Sequence, residues 1–140
     1  DVVVNKGELG RMIEFELSID EEFVYTQRSD GMIVSTPTGS TCYAMSVGGP
    51  VIDPRMDAFV IAPMAPFKFA TRPLVVPSTS RIQLELSRPK PCLCVIDGQH
   101  EHPLEGDEPT EFSRAEARSR FVRFERDFYD RLREKLVCSP

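Results

Sequence analysis

Between Ser35 and Gly49 the chain reads STPTGSTCYAMSVGG, a run dense in hydroxyls around one Pro-Thr-Gly turn. Small hydroxyl side chains and backbone N–H groups beside glycine are the chemistry that meets a phosphorylated or nucleoside ligand. Ordinary connections need only one or two such residues. The run lacks the GxxxxGKS or GxxxxGKT spacing and its lysine, so it is not a P-loop. Phosphoryl transfer also calls for a carboxylate that orients the attacking hydroxyl. Asp30, ahead of Gly31 and two residues after Arg28, is one candidate, and Asp97, ahead of Gly98 and Gln99, is another. Each also reads as a plain turn, and Thr38-Gly39-Ser40-Thr41 as a plain helix cap. Tyr43 offers a ring that stacks on a base or packs inward. Arg72 is a cation for phosphate or for an acidic neighbour. His100 and His102 flank Glu101 with no third ligand nearby, and read as exposed strand residues.

The elements that must hold these residues are short strands. Ile13, Phe15, Leu17 and Ile19 alternate with polar residues, and Asp20-Glu21-Glu22 turns the chain into a second strand from Phe23 to Gln27, predicting a hairpin. Ser29-Asp30-Gly31 predicts another turn before a buried Met32-Ile33-Val34 strand. Ser40 or Thr41 is placed to cap a short helix through about Val47, which Gly48-Gly49-Pro50 stops. Further strands are predicted at 2–4, 58–62, 74–76, 82–86 and 93–96, the last running into the tight Asp97-Gly98 turn, with a weaker one across 108–113. About nine strands punctuated by 12 prolines predict a mainly β protein, a β-sandwich rather than a βαβ sheet. The tail differs: Phe121, Phe124, Phe128, Leu132 and Leu136 share one stripe at helical spacing, with Asp127 and Arg131 as an i,i+4 pair. Ser113 and Glu116 fit a capping box, and 120–124 fits a last strand equally well.

The 140 residues suit one domain, with 41% hydrophobic and 28% charged residues. A net charge of −5 argues against a general nucleic-acid binder. No apolar run reaches the length of a membrane helix. Cys42, Cys92, Cys94 and Cys138 lack CxxC spacing and read as reduced, packed thiols of a cytoplasmic protein, with Cys92 and Cys94 on one strand face. The chain opens at Asp1 in a strand already under way, so a fragment of a longer protein is expected.

The strings DGMIVSTPTGSTCYAMSVGGPVIDP (30–54), RPLVVP (72–77), SRI (80–82) and DGQ (97–99) resemble the C-terminal domain of NAD kinases, and the ending FVRFERDFYDRLREKL is similar to archaeal-type members. The hydroxyl-rich string separates this family from the diacylglycerol and sphingosine kinases of the same fold. The resemblance implies phosphorylation of the adenosine-ribose 2′-hydroxyl of NAD to give NADP, from ATP or polyphosphate, with magnesium or manganese. It implies that the catalytic base is the aspartate of a GGDG motif in an N-terminal α/β domain that this chain lacks, so that the chain alone is inactive.

Carried over by motif position, Thr41, Cys42, Tyr43, Ala44, Met45 and Ser46 resemble the segment lining the adenosine pocket. Asp1 is the acidic half of an Asn-Asp or Asn-Glu pair that holds NAD. Asp30 resembles the contact to the nicotinamide end, often made across a subunit boundary, and Arg28, Gln99 and Arg11 resemble further nucleotide contacts. Cys42 stands where alanine is usual, and Phe67 where many bacterial members have histidine. The resemblance further implies an NAD-binding sandwich over 1–119, a tail over 120–140 that folds back on the N-terminal domain, and a homodimer or homotetramer. A lipid or sphingoid kinase and a non-catalytic nucleotide-binding β-domain are the alternative readings.

Overall fold

The computed structural model describes residues 1–7, 11–68, 70–106, 108–117, 119–122 and 127–137. Alternation makes the first hairpin. In β2 (Ile13–Ile19) Ile13, Phe15 and Leu17 are buried while Glu14 faces solvent. The chain then reverses at Asp20 and Glu21, both left-handed (φ 52° and 69°), into β3 (Glu22–Ser29). Two successive left-handed residues match the right-handed twist of the strands they join. β7 (Ile82–Leu86) pairs with the other side of β2, and β10 (Thr110–Phe112) with β7, completing a four-stranded antiparallel sheet in the order β10-β7-β2-β3.

At Asp30 the chain leaves this sheet for the second one. There β4 (Gly31–Ser35) lies between β1 (Val2–Lys6) and β5 (Ala58–Met64); β6 (Leu74–Pro77), β8 (Cys92–Ile96) and β9 (His100–Leu104) complete the order β6-β5-β4-β1-β8-β9. Gly31 is required by close approach: a Cβ there would stand 2.7 Å from the Val4 carbonyl oxygen and 2.9 Å from Met64 Sδ. All registers in both sheets are antiparallel, so the β-sandwich expected from short, turn-punctuated strands is what forms.

The core between the sheets contains Phe15, Leu17, Met32, Ile61, Ile82 and Leu84. Burying each such side chain contributes roughly 1.5–3 kcal/mol relative to leaving it in water. A second cluster covers the other face of the six-stranded sheet, where Val3, Ile33, Val60 and Ala62 meet Ala44 of α1 (Tyr43–Ser46) and Ile52. β4 is therefore buried on both faces, which is why it reads as a continuous apolar run.

Three details depart from the sequence reading. Neither Ser40 nor Thr41 caps α1: a 3-10 turn (Gly39–Thr41) precedes it, and neither Thr38 ahead of that turn nor Cys42 ahead of α1 supplies a side-chain cap. The stop is as expected, with Gly48 left-handed (φ 87°) and the N–H groups of Gly48 and Gly49 returning to the Met45 and Ala44 carbonyls. In the tail the capping residue is Asp127, whose Oδ1 accepts from the Phe128 N–H at 2.6 Å, rather than Ser113. Helix α2 (Phe128–Leu132) starts there and runs into a π-helical turn (Arg133–Val137). Residues 113–117 and 119–122 are neither helix nor strand. Phe121 is 72% exposed and lies outside the helix, so among the described residues the stripe survives as half-buried Phe128 and Leu132 and exposed Leu136. The aromatic and β-branched residues around 121 favour a helix only weakly, and the helix begins where a cap is available. Phe124 and Cys138 lie outside the described residues.

Candidate functional site

Antiparallel pairing of β1 with β4 and β8 brings the start of β1 beside the ends of both neighbours, Val2 facing Val34 and Ile96. Asp1, the run after Ser35 and the Asp97 turn thus meet at one end of the six-stranded sheet. Asp1 Oδ2 accepts from the Tyr43 N–H at 3.2 Å, so the carboxylate does for α1 what its own sequence does not. The Asp1 nitrogen lies 2.6 Å from Asp97 Oδ1, and the Asp97 N–H donates to the Asp1 carbonyl at 2.9 Å. Gly39 permits this convergence, since a Cβ there would sit 3.1 Å from the Asp1 nitrogen and 2.8 Å from Ser35 Oγ. Asp97 and Gly98 take the left-handed turn that the sequence predicts, and Gln99 is exposed just beyond it.

Most hydroxyls of the run are used internally. Ser35 Oγ donates to the Thr36 carbonyl at 2.9 Å, Thr36 Oγ1 accepts from the Gly39 N–H at 3.3 Å, and Thr41 Oγ1 donates to the Thr38 carbonyl at 3.3 Å. Buried Ser40 donates to the Pro37 carbonyl at 2.6 Å and accepts from the Ile52 N–H at 2.9 Å, stapling the turn to the loop after α1. Ala44 is fully buried and Met45 and Thr41 are half-buried, whereas Cys42, Tyr43 (45% exposed) and Ser46 face outward. The outward set is what a ligand can reach.

Asp30 is not in this cluster. It lies at the opposite end of β4, roughly 20 Å away at strand rise. There the Asp30 N–H donates to the Met64 carbonyl at 2.9 Å and the Lys6 N–H donates to the Asp30 carbonyl at 3.2 Å. Lys6 Nζ donates to Asp30 Oδ1 at 2.7 Å. Arg28, the cation nearest Asp30 in sequence, instead lies over the Phe67 ring, 5.6 Å from its centroid, and its carbonyl accepts from the Phe67 N–H. Buried Gln27 holds the same loop, accepting from Thr71 Oγ1 at 2.5 Å. Exposed Arg11 precedes β2 at this end, because Ile13 faces Ser29. The predicted site residues therefore divide into an Asp1–Tyr43–Gln99 group and an Arg11–Arg28–Asp30 group. Lys6 carries no local sequence signal, because its partner Asp30 is reached only through the register of β1 on β4.

Cys92 and Cys94 are buried on one strand face, as their spacing predicts, and burial pushes both thiols above their ordinary range. Among the described residues no three His, Cys, Asp or Glu side chains converge as a metal site would require. No helix among them is long and apolar enough to cross a membrane.

Against known proteins, the family model described as the ATP-NAD kinase C-terminal domain matches residues 1–124. The NAD kinase of Methanothermobacter thermautotrophicus is 44% identical over 138 residues, covering 98% of this chain and 49% of that protein. The bifunctional NADP phosphatase/NAD kinase of Methanocaldococcus jannaschii is 41% identical over 131 residues, 94% of this chain and 22% of that one. Among solved structures, an Archaeoglobus fulgidus NAD kinase in complex with ATP superposes with a TM-score of 0.69 at 34% identity, over 82% of this chain and 48% of that one. A yeast NADH kinase complexed with NADH gives 0.68 at 27% identity, over 79% and 31%. The chain spans about half the length of two of its relatives, 49% of the Methanothermobacter enzyme and 48% of the NAD kinase of Azoarcus. The sandwich, its hydroxyl-rich turn and these matches agree: the chain belongs to the NAD kinase family, as its C-terminal domain.

Proposed function

We propose that this chain is the NAD-binding part of a cytoplasmic kinase that phosphorylates the adenosine-ribose 2′-hydroxyl of NAD to give NADP. The observation that carries the reading is the Asp1–Tyr43–Asp97 convergence, which joins three separate motif segments beside an outward-facing tyrosine. Tyr43 stacks on the adenine, backbone groups of 41–46 line the adenosine, Ser46 and Gln99 offer polar contacts, and Asp1 holds the segment in place. Buried Ala44 acts by setting the helix on the sheet, and Cys42 is tolerated because its side chain faces outward.

In the reaction the ribose 2′-oxygen attacks the terminal phosphorus of ATP or polyphosphate. The bond to the leaving phosphate breaks, and the hydroxyl proton passes to a carboxylate outside this chain. A divalent magnesium or manganese ion bound with the donor would neutralise phosphate charge. The described residues offer it no clustered ligands. The separation of Asp30 from Tyr43 favours a homo-oligomer in which Asp30, with Arg28 and Arg11 beside it, serves the nicotinamide end of a dinucleotide held by another copy. Residues 1–119 form the binding unit, and the tail over 120–140 packs on an N-terminal α/β domain.

The test is a substrate screen of the full-length protein. NADP formed from NAD with ATP or polyphosphate is the expected result, with this chain alone giving none. Phosphorylation of sphingosine or diacylglycerol in place of NAD would overturn the reading, as would NADP formation by the chain alone at the full-length rate.

A further inference from the structure

We infer that Lys6 is a positioning residue for dinucleotide recognition, fixing the Asp30 carboxylate so that one of its oxygens is presented to the ligand. The inference rests on the reading that Asp30 touches the nicotinamide end. Asp30 is a hinge residue between two sheets, and its backbone is pinned on both sides, by Met64 and by the Lys6 N–H. Backbone pinning leaves χ1 of an aspartate free to choose among rotamers. The Lys6 ammonium removes that choice, holding Oδ1 at 2.7 Å. A carboxylate has two acceptor oxygens, and with Oδ1 engaged by a cation the remaining Oδ2 is the acceptor for an amide N–H or a ribose hydroxyl. Both side chains are part-exposed, 29% for Lys6 and 39% for Asp30, so the pair is open to a ligand.

The geometry distinguishes Lys6 from the other cations of this end. Arg28 is committed to the Phe67 ring and exposed Arg11 sits before β2. Lys6 ends β1, the strand against which Gly31 packs too closely for any side chain, so the spacing between Lys6 and Asp30 is set by the two strands rather than by their own flexible stems. A preset ion pair reduces the ordering a ligand must impose when it binds. The negative charge of Asp30 is thereby offset as well, which matters where a ligand carries phosphates.

The experiment measures steady-state kinetics and melting temperature in the full-length enzyme. Lys6→Met is expected to raise KM for NAD about two- to fivefold, the range of a part-exposed charged pair, with kcat within about twofold. Lys6→Arg restores most of the loss, and Lys6→Met adds little in an Asp30→Asn background. Melting temperatures stay near wild type in all variants. If Asp30→Asn raises KM while Lys6→Met does not, or if the two effects add in full, the positioning role is overturned and the reading of Asp30 stands. If Asp30→Asn leaves KM unchanged, the reading of Asp30 itself falls and the inference with it.

Discussion

Removing the Ser40 hydroxyl strands the buried Ile52 N–H, while the Pro37 carbonyl keeps the Ser40 N–H as a donor, so the cost is that of an unsatisfied buried donor. Ser40→Ala is expected to lower unfolding free energy by about 1–3 kcal/mol, read as a shift of the urea midpoint at constant slope. A change below a few tenths would mean that the staple is not what holds the loop after α1. Ser46, exposed on α1, should tolerate the same substitution with little effect on stability, since surface changes mostly lie within about 0.5 kcal/mol. The two serines look alike in the sequence. What separates their roles is which backbone groups the fold brings to each hydroxyl, and Ile52 is twelve residues from Ser40. Lys6 was illegible for the same reason, since its partner Asp30 lies 24 residues on and becomes a neighbour only through the β1–β4 register.

At the scale of elements, α2 is held to the loop after α1 by one polar cluster. The Tyr129 hydroxyl donates to Asp53 Oδ2 at 2.6 Å, and Arg55 donates to both Asp53 oxygens at 2.9 and 2.6 Å. Hydrogen bonds from Arg55 first, then from Tyr129, hold the Asp53 carboxyl well below the usual carboxylate range, and the Asp53 bond pushes the Tyr129 phenol above its ordinary value. A depressed carboxylate supports the folded contact above its unfolded pKa and loses that support as pH falls toward the folded value. A raised phenol supports it below the unfolded pKa and fails as pH rises past the folded one. The tether should therefore hold across about pH 5 to 9 and loosen in acid below about pH 4. Protection of the 128–132 amides, taken relative to their intrinsic exchange rate at each pH, should be flat across that window and fall in acid, and Asp53→Asn should show the acid level of protection at neutral pH. Protection that ignores both pH and Asp53→Asn would show that the contact does not hold the helix. The strands and hairpins were legible because alternation and turn residues are local; the Asp20-Glu21 and Asp97-Gly98 reversals form where their residues predict. The tail misled at Phe121, which has helical spacing to Phe128 but lies outside the helix that Asp127 caps.

The whole molecule is a two-sheet scaffold with the proposed recognition groups at both ends of one five-residue strand, β4. The segments of Asp1, Tyr43 and Asp97 are far apart in the sequence and meet only through the pairing of β1 with β4 and β8, which no local signal carries. That Asp30 stands about a strand length from Tyr43 follows from the Met32-Ile33-Val34 strand between them. The central claim is that the outward face around Tyr43 recognises NAD, and calorimetric titration of NAD into the full-length protein and its Tyr43→Ala variant tests it most directly. An exposed ring lost from a stacking contact should weaken NAD about tenfold while the melting temperature stays unchanged. Equal affinities in the two proteins would contradict the account.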